Sequence, residues 1–393
     1  MKKSLLLLTL CLITIVTLSA EVTYSAPEFM QAYYSAYSQN YINTLASGRG
    51  NTGVAKIENV ENILLNPAGF STDHTEMYIE FSIKPEKTEL GHLHENQYRS
   101  SKPFTFVGFG FNPVQNLSTA LYYAMPKSIE YDRYTLDDFG TAVFADRKPQ
   151  YNHYSFGFTN AYKVGNLSVG VDVNYNIHNN YNFFINGYPA KENLNEYTFG
   201  FSGGAVYQAS DRLNFGAMYS HSSDVTFETE YIDWDVTVPA KFSAGFSYYY
   251  LADSVISFDY EKRFNSQMSS AYDDIDIFKF GLEQQIRNNI IRFGGMYIPS
   301  TFSGRVTTPV VELAPNIIPQ TPTNFNNGKE DILSNDQTFI TIGYTLNLEE
   351  LTFNLSAMQA VACEMKSTQF SLSIGVNLSD FDITKYTPKR RDD

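Results

Sequence analysis

From about residue 75 onward, the chain consists of short stretches in which large apolar and small polar residues alternate. Every second residue from Leu167 to Ile177 is large and apolar, and the residues between them are Ser, Gly, Asp and Asn. The same alternation runs from Phe370 to Leu378. Successive side chains of a strand point to opposite faces, so a period of two predicts strands with one apolar and one polar face.

About fourteen such stretches follow one another along the chain. They start near residues 75, 102, 116, 151, 166, 193, 212, 237, 254, 274, 289, 335, 350 and 366. Most are longer than the roughly 5–6 residues usual in globular sheets. Their length suits a tilted membrane strand of about 9–11 residues.

The connections between these stretches alternate between short and long. The long ones fall near residues 87–101, 128–150, 179–192, 224–236, 264–273 and 301–334. Short periplasmic turns that alternate with long external loops are typical of outer-membrane barrels. The last hairpin, near Cys363 to Ser367, departs from this rule because it is short. The pattern predicts an all-β protein, with a transmembrane antiparallel β-barrel of about fourteen strands over residues 75–378.

The composition agrees with a barrel that faces lipid outside and water inside. Aromatic residues make up 15% of the chain and charged residues only 18%, a balance that suits an apolar outer band and a polar interior. The formal net charge of −14 argues against nucleic acid as a partner, because phosphate binding relies on Lys and Arg. The histidines are scattered, and no Ser/His/Asp order stands out, so the sequence does not predict an enzyme or a cofactor.

Four segments divide the chain. Residues 1–20 combine a basic start, an apolar core and a small-residue end, which is the pattern of a secretory signal peptide. Without it Cys363 is the only cysteine, so no intramolecular disulfide can form. Residues 21–74 lack strand alternation and are predicted to form short helices joined by Gly. Residues 379–393 are polar and are predicted to be a periplasmic tail.

The segment 48–55, GRGNTGVA, and the following Asn66-Pro67-Ala68-Gly69 resemble the N-terminal hatch of the FadL-type outer-membrane transporters. Later segments, 236–250 and the pair 290–302 and 333–346, resemble strands of the same family, so the resemblance spans roughly 45–378. It implies a helical plug inside a fourteen-stranded barrel that carries long-chain fatty acids or other hydrophobic molecules. The sequence departs from the family in a longer N-terminal extension, 21–45, and in a tail that replaces the usual terminal aromatic residue.

Asn66, Pro67, Ala68 and Gly69 are the predicted gate. Pro presets φ, Gly permits a positive φ, and the residue before Pro is pushed out of the helical region, so this segment ends a helix in a fixed turn. One interpretation is a hatch that ligand binding moves; the other is a tight turn into the first strand. Pro126 lies in the third predicted strand, where a residue that cannot donate a ladder hydrogen bond marks a kink or a strand end. In the family, an inward kink there opens a lateral exit.

Several charged residues alternate onto the polar face and are therefore expected in the lumen, because a charge facing lipid at mid-depth costs roughly 2–4 kcal/mol. They are Asp172, Lys241, Asp259, Glu261, Lys279 and Glu283. A luminal Lys is able to meet a fatty-acid carboxylate; alternatively these charges pair with one another or line water. His92 and His94 are close together without a third ligand nearby, so no metal site is predicted.

The expected function is transport of hydrophobic small molecules, with long-chain fatty acids first, across the outer membrane of a Gram-negative bacterium. The expected partners are such a ligand, outer-membrane lipids and the barrel assembly machinery, with the protein acting as a monomer. Two alternatives stay open. One is a FadL-like barrel that holds or shuttles secreted proteins without transporting, and the other is a general diffusion porin.

Overall fold

The structure is a computed structural model with side chains. It describes residues 23–25, 41–72, 74–90, 93–99, 103–131, 150–181, 184–185, 188–189, 193–227, 234–251, 254–268, 272–300, 304–307, 331–333, 336–348, 350–362 and 365–379. The predicted signal peptide and most of the predicted C-terminal tail fall outside these residues and stay predictions. Within the described ranges, no helix has the length and apolar character needed to cross a membrane.

Fourteen antiparallel strands form a closed barrel, which confirms the predicted fold class. The strands are β1 Glu76–Ile83, β2 Phe104–Val114, β3 Leu117–Tyr131, β4 Gln150–Val164, β5 Leu167–Tyr181, β6 Asn193–Ser210, β7 Leu213–Ser220, β8 Lys241–Leu251, β9 Ser254–Arg263, β10 Ile275–Ile286, β11 Asn289–Ile298, β12 Gln337–Leu348, β13 Leu351–Ala362 and β14 Met365–Asn377. Each strand pairs with the next in the chain, and β1 pairs with β14, from Glu76 opposite Asn377 to Ile83 opposite Phe370. The ring therefore has no free edge.

The eighth strand begins later than the sequence pattern predicted. The expected start was near residue 237, but β8 begins at Lys241. Residues Trp234–Val238 instead pair with Ser223–Phe227 in a separate hairpin beyond the end of β7. Pro239 lies between the two segments and cannot donate a ladder hydrogen bond, so the apolar run is divided there.

The two ends of the barrel differ. One end, which we call the turn end, carries the short connections, the first of which joins Val114 of β2 to Leu117 of β3. The start of β1 and the end of β14 lie at the turn end as well. The opposite end, which we call the loop end, carries the long connections and the short hairpin between β13 and β14. Smaller strands occur at Thr23–Ser25, Pro85–Leu90, Leu93–Arg99, Phe184–Ile185, Tyr188–Pro189, Gly304–Thr307 and Asp331–Leu333. Thr23–Ser25 pairs in parallel with Gly304–Thr307, which follows the loop end of β11.

The outer face of the barrel is apolar and exposed, whereas the inner face is polar and buried. Large outward side chains are exposed on every part of the wall, for example Phe199 at 62% and Val171 at 59%. Soluble monomers rarely expose contiguous apolar patches of more than a few hundred Å², so this surface fits contact with lipid. On β5 the inward residues Ser168, Asp172 and His178 are buried, as the predicted alternation requires.

Residues 41–72 lie inside the lumen, and we call this segment the hatch. It contains the short helix α1, Thr44–Gly48, and two 3-10 turns, Val60–Leu64 and Pro67–Gly69. A third 3-10 turn, Asn265–Gln267, lies outside the hatch, after β9. The hatch is buried almost throughout, although it contains little regular structure. Its order therefore depends on contacts with the wall rather than on helix propensity, because helices this short are marginal in isolation.

Candidate functional site: hatch, lumen and strand break

The predicted gate, Asn66 to Gly69, forms a 3-10 turn that is fastened to the wall through Asn66. The Asn66 Nδ2 atom donates to the carbonyl of Val54 in the hatch at 2.7 Å and to that of Ala205 on β6 at 3.2 Å. Its Oδ1 accepts from the Ala68 N–H at 3.0 Å and so caps the turn. Asn66 is completely buried, so the loss of these bonds would leave polar groups unsatisfied at a cost of roughly 1–3 kcal/mol each.

A set of wall glycines allows the hatch backbone to approach the barrel closely. A Cβ atom on any of them would collide with the hatch; these glycines are Gly170, Gly204, Gly216, Gly281, Gly294 and Gly343, on β5, β6, β7, β10, β11 and β12. Gly170 faces the backbone of Pro67 and Ala68, and Gly204 faces the Asn66 side chain, whose Cγ would lie 2.9 Å from the added atom. The wall is thus shaped around the hatch over half its circumference.

A buried ion network also joins the hatch to β10 and β11. Arg49 donates to both oxygens of Glu58, at 2.8 and 2.6 Å, and also to Glu283 Oε1 at 3.2 Å. Lys56 pairs with Glu58 at 2.7 Å and with Glu283, whose other oxygen accepts from Arg292 Nε at 2.8 Å. Arg49, Lys56 and Glu58 belong to the hatch, so the wall carboxylate Glu283 is shared between two cations of the hatch and Arg292 of the wall.

The network shifts the ionisation of its hatch members. Burial alone would raise the pKa of Glu58, but the charges of Arg49 and Lys56 outweigh it and lower the pKa to about 2. Burial likewise opposes the charge on Arg49, while Glu283 and Glu58 raise its pKa. Both groups are therefore charged at neutral pH. Removing one partner would leave a buried charge uncompensated, which typically costs about 3–5 kcal/mol.

On the opposite side of the hatch, apolar side chains form a cluster with the inner faces of β1, β2 and β3, which we call the apolar cluster. Its buried members are Ile42, Val60, Ile63, Phe70, Tyr78, Phe106, Ala120, Tyr122 and Ala124, and Leu64 packs against them. Ile42, Val60, Ile63, Leu64 and Phe70 belong to the hatch, and the other members belong to the wall. An apolar surface of this kind, inside a lumen that is otherwise largely polar, is suited to an apolar ligand.

The wall behind the apolar cluster is interrupted. β2 and β3 are paired up to Phe106 opposite Ala124, and the next pair joins Arg99, on the small strand before β2, to Glu130. Among the described residues between these two pairs, β3 has no backbone pairing with β2 or with the small strand Leu93–Arg99. We call this interval the strand break.

Two bulges border the strand break. Ala124 lies opposite Ser155 of β4, but the next pair is Lys127 with His153, so one extra residue is inserted at Met125–Pro126. On β2, Thr105 is the extra residue between the pairs formed with Glu80 and Phe81 of β1. Bulges bend a strand and disrupt its ladder. The structure therefore places Pro126 in a bulge within β3 and not at its junction with the loop; its role in an exit stays a prediction.

The outer surface of the strand break is lined by aromatic rings. Phe104 stacks on Tyr123 with ring centroids 5.5 Å apart and contacts Phe81 at 5.7 Å. Tyr123 also contacts Phe156 of β4 at 5.3 Å. Phe81, Phe104 and Phe156 are exposed on the lipid-facing side, so the apolar cluster inside and an aromatic patch outside lie on the two sides of the interrupted wall.

The predicted luminal charges all lie on the inner face, but they have different partners. Asp172 accepts hydrogen bonds from three neutral donors, Tyr122, Thr159 and Asn174, at 2.7–2.9 Å. Asp259 accepts from the backbone N–H groups of Gly53 and Val54 at 2.6 and 3.0 Å, and so holds the hatch. Both oxygens of Asp172 are therefore engaged, whereas Asp259 Oδ1 accepts no hydrogen bond from the described residues.

Lys241, Arg263 and Lys279 surround the carboxylate of Glu261, and we call these four residues the basic cluster. Glu261 accepts from Arg263 Nε and from Lys279 Nζ, each at 2.6 Å. Lys241 lies directly opposite Arg263 in the pairing of β8 with β9. Three cations share one carboxylate, so the cluster is net positive and has N–H donors beyond those that Glu261 accepts.

A second group of apolar residues adjoins the basic cluster on β10 to β13. It consists of Tyr41, Ile275, Ile277, Met296, Ile298, Phe339, Met358 and Ala360. Ile275 and Ile277 lie opposite Arg263 and Glu261 in the pairing of β9 with β10. Positive charge and apolar surface therefore meet at the loop side of the hatch.

The sequence did not single out Arg49, Lys56, Glu58 or Arg292, although Arg49 stands inside the quoted Gly-rich segment. The signal for Arg49, Lys56 and Glu58 was the presence of charged residues within a segment that is otherwise made of small, apolar and neutral polar residues. Their partners follow only from the three-dimensional arrangement. His92 lies outside the described residues, and the expectation of no metal there stays a prediction.

No family model matches the sequence, and the search of curated proteins gave no match. Solved structures do match. An FadL homologue from Pseudomonas aeruginosa has a TM-score of 0.63 at 12% identity, covering 86% of this chain and 98% of that one. The chain has the fold of the FadL-type outer-membrane transporters. The resemblance found in the sequence is confirmed at this level.

Two further FadL-like neighbours have named ligands. The toluene transporter TbuX of Ralstonia pickettii has a TM-score of 0.60 at 13% identity, covering 85% of this chain and 97% of that one. The toluene transporter TodX of P. putida has a TM-score of 0.59 at 12% identity, covering 88% of this chain and 99% of that one. At such identity the likeness establishes the fold alone.

Proposed function

We propose that this protein passes hydrophobic small molecules, with long-chain fatty acids as its principal ligands, from the loop end of the barrel into the surrounding outer membrane. The ligand enters at the loop end, binds on the loop side of the hatch and reaches the apolar cluster. Movement of the hatch then lets it leave sideways through the strand break. Such an exit avoids water, which an apolar chain disfavours by about 0.8 kcal/mol per CH₂ group.

The observation that carries this proposal is the position of the apolar cluster directly behind the strand break. Phe106 and Ala124 are members of the cluster and also form the last pair before the ladder stops. A general diffusion porin has no need for an apolar patch at an interruption of its wall. A ligand leaving through this interval would pass from buried apolar side chains to the exposed aromatic patch of Phe81, Phe104 and Phe156.

The basic cluster supports fatty acids over neutral hydrocarbons. Toluene, the ligand in the names of two structural neighbours, has no charged group for Lys241, Arg263 and Lys279 to bind. A carboxylate would add an acceptor to a cluster that is short of acceptors, and charge-assisted hydrogen bonds are roughly twice as strong as neutral ones. The adjacent apolar residues on β10 to β13 suit an alkyl chain.

The test is deletion of Pro126, measured by uptake of labelled oleate into cells that lack their own transporter. The deletion removes the extra residue between the Ala124–Ser155 and Lys127–His153 pairs, so β3 and β4 regain a regular register. We expect uptake to fall to the background of cells without the barrel, because the strand break closes. Pro126→Ala keeps the inserted residue and serves as the control, with uptake close to that of the unaltered protein.

Surface amounts and the heat-modified mobility of the folded barrel are measured for both variants. Uptake that survives the deletion in a correctly inserted barrel would contradict lateral release. If the unaltered protein restores uptake of neither oleate nor toluene, while other exported proteins co-purify with it, the protein-holding alternative replaces transport.

A further inference from the structure

A pair of buried carboxyl groups joins the hatch to β1. Glu61 lies in the 3-10 turn Val60–Leu64, and Glu80 projects inward from β1; both are completely excluded from solvent. Neither carboxyl oxygen of Glu61 accepts a hydrogen bond from the described residues. An ionised carboxylate in this position would be desolvated and unsatisfied, so the neutral form is favoured.

Glu80 differs from Glu61 because it is fully supplied with donors. Its Oε2 accepts from the Asn43 N–H and the Thr44 hydroxyl, each at 2.9 Å, and its Oε1 accepts from the hydroxyl of Thr105 at 2.9 Å. Thr105 is the bulged residue beside the strand break. Asn43 also donates through Nδ2 to the backbone carbonyl of Glu61 at 3.1 Å, and so connects the two acids.

The groups facing Glu61 reinforce its neutral form. Burial has the largest effect and the Glu80 charge the next, and together they raise the pKa of Glu61 well above its ordinary value. Glu76 of β1 and Glu58 of the hatch act in the same direction, whereas the Ser373 hydroxyl on β14, which faces Glu61 without completing a hydrogen bond, acts against them. Tyr78 of β1 also faces Glu61. Glu58 is held by Arg49 and Lys56, and Glu76 accepts the Val60 N–H at 2.7 Å.

We propose that Glu61 is a proton-binding site of the hatch, whose proton keeps the hatch seated against β1 beside the strand break and whose loss releases it. Of the two carboxyls, Glu80 with its three donors is the one that ionises first as the pH rises, while Glu61 still holds its proton. When Glu61 ionises, two carboxylates face each other in a buried space. The Val60–Leu64 turn is driven away from β1, and with it the hatch half of the apolar cluster.

The direction of the pH dependence follows from the raised pKa. Glu61 keeps its proton in the seated hatch to a higher pH than it does once released into water, where the ordinary value of about 4.5 applies. The contribution of Glu61 to the stability of the seated state is therefore complete below that ordinary value and is lost as the pH rises toward the raised one. Since release frees one proton, the released fraction rises about tenfold per pH unit within this window.

The first measurement is the ionic conductance of the purified barrel in planar bilayers as a function of pH, without any transported ligand. We expect the open fraction of the unaltered protein to rise steeply as the pH is raised from about 4.5 toward the raised pKa of Glu61. Glu61→Gln keeps a neutral side chain of the same shape, so it should hold the open fraction at its low value throughout. Glu196→Gln, which changes a luminal carboxyl on β6, should retain the unaltered profile. A pH-independent open fraction in the unaltered protein, or an unchanged profile in Glu61→Gln, would overturn the proposal.

The second measurement detects the proton itself by infrared spectroscopy. In the difference between the spectra of the unaltered protein and Glu61→Gln, the C=O band of a protonated carboxylic acid should appear at pH values below the raised pKa of Glu61. Glu80→Gln removes the neighbouring charge, so this band should disappear at a lower pH. A difference spectrum without such a band would refute the assignment. The proposal rests on the proposed function only in requiring that the hatch moves. Neither measurement involves uptake, so a protein that fails to transport can still show the proton site, and the two failures can be told apart.

Discussion

Arg49 of the hatch donates through Nη1 to Glu283 Oε1 on β10 at 3.2 Å, although the two residues are 234 positions apart in the chain. Their side chains are 0% and 3% exposed. This contact fastens the hatch by buried charge to one side of the barrel. The other side of the hatch meets β1, β2 and β3 through the apolar cluster and the Glu61–Glu80 pair, next to the strand break. We therefore expect the hatch to stay anchored at β10 while it moves away from the strand break.

Arg49→Met should loosen that anchor. Glu58 and Glu283 would keep Lys56 and Arg292 as partners, so the loss should approach the lower end of the roughly 3–5 kcal/mol typical of a broken buried pair. The measurement is hydrogen exchange of peptides from residues 41–72 in lipid nanodiscs, where faster exchange is expected. Arg212→Met changes an exposed arginine at the turn end and should leave exchange unaltered. Equal protection in Arg49→Met would show that the glycine contacts alone hold the hatch.

Gly204 and Gly203 offer a matched pair of substitutions on β6. Gly204 faces Asn66, so a Val side chain there must displace the gate turn, at about 1–3 kcal/mol for overpacking. Gly203 has only the Gly170 carbonyl near its added Cβ, at 3.8 Å, and Val is favoured in strands. We expect Gly204→Val to raise the resting conductance of the barrel in planar bilayers and Gly203→Val to leave it unchanged. Similar currents for both variants would mean that the hatch does not depend on the glycine seat.

The barrel was predictable from the sequence because it follows from local periodicity. The alternation from Leu167 to Ile177 reports directly which side chains face lipid, and each two-residue turn at the turn end separates two such stretches. The predicted strand starts accordingly lie within a few residues of the observed ones. The start of β8 was wrong because the alternating run before Pro239 belongs to a hairpin outside the wall.

The contacts of the site were less predictable, because they join residues that no local pattern connects. Glu80 lies on the inner face with Tyr78 and Ser82, as the alternation predicts, yet nothing in the sequence indicates that it faces Glu61. Likewise, Pro126 indicates a defect in β3, but the opposite bulge at Thr105 contains no Pro or Gly and has no such signal. The strand break is produced by two irregularities on neighbouring strands, and only one of them is visible in the sequence.

Lys241→Met should reduce the uptake of an anionic ligand without changing the uptake of a neutral one. Lys241 is the member of the basic cluster for which the structure shows no short bond to Glu261, so its removal disturbs the wall least. A hydrogen bond to a charged group contributes roughly 1.5–3 kcal/mol, so oleate uptake at low concentration should fall about tenfold or more, with toluene uptake unchanged. Lys262→Met, on the outward face of the adjacent strand β9, is the control for lost positive charge. An equal loss for both ligands would place the effect of Lys241 on the barrel rather than on the head group.

Acid should weaken the ion network that joins the hatch to β10 and β11. Arg49 and Lys56 lower the pKa of Glu58 to about 2, below its ordinary value of 4.5. A group with a lowered pKa contributes stability that is complete above the ordinary value and is lost as the pH falls toward the lowered one. The protection of the hatch amides, relative to their intrinsic exchange rate at each pH, should therefore fall between about pH 4.5 and 2. Glu58→Gln should exchange faster already at neutral pH and show a weaker acid dependence, because its stabilising charge is absent throughout. An acid profile identical to that of the unaltered protein would assign the effect to Glu283, the other carboxylate that Arg49 and Lys56 hold.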